Sequence, residues 1–162
     1  MRLRLRLLVF LAIYWLLFLA AARILFLLYN HDYATQLTFI EVAKSMAYGI
    51  KMDLSLTGYV LMFSGLMLSI SMFTSKNQWL YYTLNAFNIA ALLFSCIIIV
   101  TDLELYRHWG FRMNTTPLMY MGSEAMGSVQ TGVAFKLTTI FGFLMAISVY
   151  LYLKLISSYP EL

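Results

Sequence analysis

Charged residues are scarce in this chain, and the few that are present make up only 11% of it. A water-soluble domain of this length covers its surface with polar side chains, so this scarcity excludes a soluble globular fold. There is a single cysteine, Cys96, which excludes an intrachain disulfide. Internal repeats, low-complexity tracts and Gly/Ser linkers are also missing, and we therefore predict a single domain over residues 1–162.

Hydrophobic residues make up 62% of the chain, and many of them stand in long apolar runs. About 20 consecutive apolar residues are enough to cross the hydrocarbon core of a bilayer as a helix. Stretches such as A-A-L-L-F-S-C-I-I-I-V lack the alternating polarity of membrane β-strands. The sequence therefore predicts an all-α, polytopic membrane protein with four spans, at about residues 5–28, 54–73, 80–101 and 133–155.

Three arginines, Arg2, Arg4 and Arg6, lie immediately before the first span. Clustered basic residues remain on the cytoplasmic side, so this density predicts a cytoplasmic N-terminus. Four crossings then place the connections 29–53 and 102–132 outside the cell. The net charge of +4 is interpreted as a topology signal and as an attraction to anionic lipid headgroups, and not as a nucleic-acid footprint.

The first span could also be a cleaved signal peptide, with Ala20–Ala22 as the cleavage site. The hydrophobic run resumes directly after Arg23, however, which favours a retained signal anchor. Arg23 and Lys136 lie near the outer ends of their spans, and we expect both to extend toward the headgroups.

Each outer connection is predicted to contain a short interfacial helix. The first covers Leu37–Gly49 and ends at the glycine, after which Asp53 is expected to cap the N-terminus of the second span. The second covers Thr116–Gly127, where a threonine followed by Pro117 is a typical helix start.

Four polar residues of the third span, Asn85, Asn88, Ser95 and Asp102, follow one another at spacings of three, seven and seven, so they share one side of the helix. Such a stripe could be a polar path for an ion or a proton. It could also be a packing surface on which each polar group bonds to a neighbouring helix. Transport paths usually carry ionisable residues at mid-depth, and these positions do not, which favours packing.

Five ionisable residues cluster where the third span leaves the membrane: Asp102, Glu104, Arg107, His108 and Arg112. Glu104 precedes Arg107 and His108 by three and four residues, a spacing at which helical side chains meet. Neither these residues nor the outer His31 and Asp32 have the spacing of a zinc site or of a catalytic triad. We therefore expect no catalytic, metal or cofactor-binding residue in this chain.

The segments G-I-K-M-D-L-S at Gly49–Ser55 and D-L-E-L-Y-R-H-W-G-F-R-M-N-T-T-P-L at Asp102–Leu118 resemble the N-terminal membrane region of lipoteichoic acid synthase-like proteins. These are membrane-anchored members of the sulfatase and phosphoglycerol transferase family, within the alkaline phosphatase superfamily. The resemblance implies a bacterial cytoplasmic (inner) membrane protein with five transmembrane helices and a large extracytoplasmic domain. In the family that domain carries a nucleophilic threonine and a divalent metal, usually manganese.

This chain departs from the family pattern because it stops at Y-P-E-L, after the fourth predicted span. A fifth helix and the catalytic domain would follow, so we expect a fragment that anchors and positions that domain without catalysing its reaction. The alternatives are a stand-alone four-helix scaffold or transporter subunit, and an enzyme that acts on lipid through Asp102, Glu104 and His108. No oligomeric state is predicted.

The resemblance also suggests a role for the charged cluster. Arg107 and Arg112 would pair with phosphates of lipid headgroups or with acidic residues of the missing domain, as a docking surface. The simpler interpretation is that the charges of the cluster only satisfy one another at the membrane interface.

Overall fold

The computed structural model describes residues 2–71, 73, 78–112 and 131–157, and these segments contain helices and no strand. Four of the helices are long and apolar enough to cross a membrane. The prediction of an all-α membrane protein with about four spans is therefore confirmed. The helices are α1 (Arg2–Tyr29), α2 (His31–Ala34), α3 (Phe39–Ile70), α4 (Gln78–Trp109) and α5 (Thr131–Ser157).

The four long helices run alternately up and down. At one end Arg4 Nη2 donates to the Ser71 carbonyl oxygen at 3.1 Å, and near the other end Arg23 pairs with Asp53, so α1 and α3 are antiparallel. α4 packs mainly against α5, while α1 touches both of them. We call the end that holds the N-terminus of α1 the proximal end, and the end that holds its C-terminus, Tyr29, the distal end.

α3 differs from the sequence-based prediction because it is one unbroken helix. It begins after Thr38, whose hydroxyl accepts a hydrogen bond from the Glu41 backbone N–H, while the Glu41 carboxylate accepts one from the Thr38 N–H at 2.8 Å. This reciprocal capping box satisfies two backbone donors and fixes the start of the helix. The separate interfacial helix predicted over Leu37–Gly49 is therefore wrong. Its predicted counterpart, Thr116–Gly127, lies outside the described residues.

Asp53 consequently lies in the middle of α3, and the prediction that it caps a helix is wrong. The physical reason is that Gly49 does not end the helix. A glycine in a helix interior costs about 1 kcal/mol relative to alanine, which packing readily offsets, and no proline is present to remove a backbone hydrogen bond. The carboxylate of Asp53 points instead toward α1, where it meets Arg23.

α3 and α4 each contain 32 residues and are therefore about 48 Å long at 1.5 Å per residue. The hydrocarbon core of a bilayer is only about 30 Å thick. Both helices must extend beyond it, and the apolar run of α4 ends near Val100, so its surplus lies at the distal end.

The packed interior is centred on Trp15, which is fully buried. Its ring makes edge contacts with Tyr14 and Phe18 at centroid distances of 6.2 and 5.7 Å. Buried leucines surround these aromatic rings on α1 and α4: Leu7, Leu11, Leu84 and Leu92.

The amide of Asn88 joins three helices at the centre of this interior. Its Oδ1 accepts a hydrogen bond from Trp15 Nε1 at 3.1 Å, and its Nδ2 donates to Ser64 Oγ at 3.3 Å and to the Leu84 carbonyl oxygen at 2.9 Å. The side chain is fully buried. One amide therefore connects α4 to both α1 and α3.

Two tyrosines connect α5 to the other helices in the same way. Tyr152 OH donates to Asn85 Oδ1 at 2.8 Å, and Tyr14 OH donates to the Ser148 carbonyl oxygen at 2.8 Å. Asn85 and Asn88 thus bond to neighbouring helices, as the packing interpretation of the third-span stripe requires.

Thr57 is an exception to this pairing, because its buried hydroxyl has no hydrogen-bond partner. In other threonines of the long helices the hydroxyl donates a hydrogen bond to the carbonyl oxygen four residues earlier, as in Thr83 and Thr101 at 2.9 and 2.8 Å. A buried polar group without a partner lowers stability by about 1–3 kcal/mol.

We expect Asn88→Leu to lower the free energy of unfolding by about 1 kcal/mol, because it leaves the Trp15 N–H buried without an acceptor. Thr57→Val keeps the side-chain volume and removes the unpaired hydroxyl, so it should leave that free energy unchanged or raise it. Unfolding of both variants in mixed detergent micelles measures the difference. An equal loss in both would show that the Asn88 amide does not stabilise the bundle.

Candidate functional site at the distal end

The distal half of the α1–α3 interface contains a shielded ion pair. Arg23 Nη2 lies 2.7 Å from Asp53 Oδ1, and each side chain is only 14% exposed. Arg23 Nη1 also donates to the Met46 carbonyl oxygen at 2.8 Å. The arginine therefore binds a carboxylate and a backbone acceptor on the same helix.

Arg23 does not extend toward the headgroups, which corrects the expectation from the sequence. α1 continues for six apolar or aromatic residues, Ile24–Tyr29, or about 9 Å beyond Arg23. At such a depth an unpaired guanidinium is costly, and the cost is offset when an acid on a neighbouring helix supplies the partner.

Gly49 makes room for this arginine. A Cβ atom at position 49 would overlap the Arg23 guanidinium. The glycine that was expected to end a helix therefore serves a packing role, because it lets the guanidinium lie directly on the backbone of α3 between Met46 and Asp53.

A second ion pair lies where α4 ends. Gly110 adopts a left-handed conformation (φ 70°), and its N–H donates to the Tyr106 carbonyl oxygen at 2.9 Å, a common way to end a helix. This turn brings Arg112 back onto Asp102, with Nε and Nη2 at 2.9 and 2.8 Å from Oδ2. The Arg112 guanidinium carbon also lies 4.6 Å from the centroid of the Phe26 ring.

Tyr29, the last residue of α1, links the remaining charges of this end. Its hydroxyl donates to Glu104, and Arg107 also interacts with it. Lys136 Nζ of α5 lies 4.1 Å from the centroid of the Tyr29 ring, and His108 Nε2 lies 3.5 Å from Glu104 Oε1. One tyrosine therefore holds three helices together at the distal end.

The connection between α1 and α2 also touches α4. Asn30 is buried, and its Nδ2 donates to the carbonyl oxygens of Phe26 and Leu103 at 3.3 and 3.4 Å, whereas its Oδ1 has no partner. The rings of Phe26 and Tyr33 lie on Tyr106 at centroid distances of 5.0 and 5.6 Å. Aromatic side chains of this kind collect at the depth of the lipid headgroups.

All five residues predicted as a cluster are therefore close together, as Asp102–Arg112 and Glu104–His108 pairs with Arg107 beside them. These pairs partly neutralise the acids of the cluster, while Arg112 and His108 keep most of their side-chain surface exposed. Reasoning from the sequence missed the Arg23–Asp53 pair. An arginine within one apolar run and an aspartate before the next would have been the signal for it.

The described residues contain no group of three or more His, Cys, Asp or Glu side chains that could hold a metal ion. His31 and Asp32 are exposed on the short α2. No family model, curated protein or solved structure matches this chain. The resemblance to lipoteichoic acid synthase-like proteins stays a prediction.

We expect Gly49→Ala to destabilise the protein by about 1–3 kcal/mol, because the new methyl group forces the Arg23 guanidinium away from Asp53 and Met46. Gly58→Ala is the matched control, since nothing lies within 4 Å of a Cβ atom at that position of the same helix. Alanine should raise helix stability there. Thermal unfolding of the two variants in one detergent makes the comparison; equal stability would contradict the packing role of Gly49.

Proposed function

We propose that this chain is the membrane-anchoring and positioning module of a lipoteichoic acid synthase-like protein of the sulfatase and phosphoglycerol transferase family. In this proposal the chain itself performs no catalysis. An extracytoplasmic domain beyond it would carry the metal, manganese in the family, and perform the transfer or hydrolysis.

The observation that carries the proposal is the use of polar groups inside the bundle. The amides of Asn85 and Asn88 are bonded to Tyr152, Trp15 and Ser64 on other helices. Arg23 and Asp53 neutralise each other. Polar groups that are committed to helix–helix bonds favour a rigid anchor over a transport path, whose polar groups must exchange partners with the moving ion.

A stand-alone four-helix scaffold is the second candidate, because the same bonds would also make a rigid support for partner helices. The transporter version has less support, since the described third-span amides are held by neighbouring helices. An enzyme that uses Asp102, Glu104 and His108 has the least support of these candidates. Two of those side chains are only 9% and 15% exposed, and each already has a partner.

For the orientation, we propose a cytoplasmic N-terminus in the bacterial cytoplasmic membrane, with the distal end outside the cell. The support is the density of Arg2, Arg4 and Arg6 at the proximal end. Arg4 is attached to the end of α3 through the Ser71 carbonyl oxygen, which keeps one of these charges at that surface.

The anchor proposal predicts that the reading frame continues beyond codon 162 into another hydrophobic span and a long soluble region. It also predicts that the purified chain in liposomes gives no proton or cation flux above that of empty vesicles, because the amides of Asn85 and Asn88 and the Arg23–Asp53 pair are already bonded. Sequencing of the coding DNA and a dye-based flux assay test the two parts. Flux that Asn88→Leu abolishes would contradict the anchor and favour the transporter.

The orientation is tested by cysteine labelling in intact cells. Lys44→Cys at the distal end should react with a membrane-impermeant maleimide, and Lys154→Cys near the proximal end should react only after the cells are opened, because the reagent does not cross the bilayer. Both lysines are exposed, and the native Cys96 is fully buried, so it gives little background. The reverse labelling pattern would overturn the proposed orientation.

A further inference from the structure

At the distal end the acids and bases of the charged cluster differ in exposure. The side chains of Asp102 and Glu104 are 9% and 15% exposed, whereas those of Arg112 and His108 are 62% and 67% exposed. Arg107 and Lys136 are exposed as well. By sequence, the two outer connections and their borders carry six acids and six bases, but at this cluster the bases are the exposed groups.

We propose that Arg107, His108, Arg112 and Lys136, here called the basic rim, bind the phosphate groups of anionic phospholipids in the leaflet that surrounds the distal end. This inference needs only the membrane placement of the helices. It does not depend on whether an extracytoplasmic domain follows the chain.

The depth of the basic rim favours lipid as the partner. The apolar run of α4 ends near Val100, and Arg107 lies seven residues or about 10 Å further along the helix. Each headgroup layer is about 5–8 Å thick, so a long arginine side chain at this level reaches the phosphates. Tyr33 and Tyr106, which pack against each other beside the basic rim, belong to the residue types that are enriched at this depth.

The contacts beneath the basic rim hold its cations in place. Asp102 holds one edge of the Arg112 guanidinium through Nε and Nη2, and the Phe26 ring lies against its face. The Tyr29 ring holds Lys136 on the other side. Cations that are positioned in advance lose less side-chain entropy when they bind a phosphate, and guanidinium groups bind phosphate through paired hydrogen bonds.

An ordinary helix-end role accounts for part of this arrangement, because basic residues in the last turn of α4 complement the helix dipole. It does not account for Lys136, the sixth residue of α5, which the Tyr29 ring holds next to the end of α4. The convergence of cations from two helices on Tyr29 therefore favours a shared anionic ligand.

The test is native mass spectrometry of the chain in a neutral detergent, with phosphatidylserine as the probe and phosphatidylcholine as the neutral comparison. We expect Arg107→Gln/Lys136→Gln to bind phosphatidylserine about twenty-fivefold more weakly than the unaltered chain, at about fivefold for each phosphate contact of the basic rim that is lost. Phosphatidylcholine binding should stay the same.

The matched control is Lys44→Gln/Lys51→Gln, which removes the same charge from two exposed lysines of α3 at the same end of the bundle. The control should bind phosphatidylserine like the unaltered chain. An equal loss in both double variants would overturn the proposal, because the attraction would then be a general effect of net charge. Unchanged binding in the basic-rim variant would overturn it too.

Folding of each variant is checked by its thermal midpoint in phosphatidylcholine alone. If the basic-rim double variant does not fold, Arg107→Gln by itself still tests the proposal with an expected loss of about fivefold. A basic-rim variant that binds phosphatidylserine normally, but lowers the activity of a longer protein that contains this chain, would assign the surface to a protein domain and overturn the lipid proposal.

Discussion

The absence of water from the hydrocarbon core is the constraint on which the rest of this structure depends. A polar group at that depth has only other protein groups as partners, so a helix cannot leave an amide or a hydroxyl to the solvent. The amide of Asn88 is therefore hydrogen-bonded to Trp15 and Ser64, and the amide of Asn85 is hydrogen-bonded to Tyr152. These bonds also fix which helices are neighbours and how they are aligned in depth.

The same constraint governs the charges. Arg23 lies well inside α1, and it is tolerated because Asp53 and a carbonyl oxygen of α3 meet it where Gly49 leaves space. Nearer the headgroups water and phosphate become available, so the cluster at the end of α4 can keep Asp102 inward and leave Arg112 largely exposed. Both arginines are paired with an aspartate, and depth decides how much of the paired cation stays exposed at the protein surface.

Sequence reasoning succeeded where one property dominates. The four spans follow from hydrophobic length alone, because crossing the core requires about 20 apolar residues and the chain supplies them in four runs. It failed at Gly49 and Asp53, where local signals for a helix end and a helix start occur together. Both signals are weak, at about 1 kcal/mol each, and continuous packing of α3 against α1 outweighs them.

The sequence by itself determined that the chain is a helical membrane protein with about four apolar runs long enough to cross a bilayer, and that charges collect beyond the third of these runs. Only the tertiary structure decided which polar groups meet: that Asp53 pairs with Arg23, and that Tyr29 joins Glu104 to Lys136. The physical reason is that hydrophobicity is summed along one segment and is visible locally. A hydrogen bond or an ion pair between helices depends instead on the rotation and depth of two segments that lie far apart in the chain.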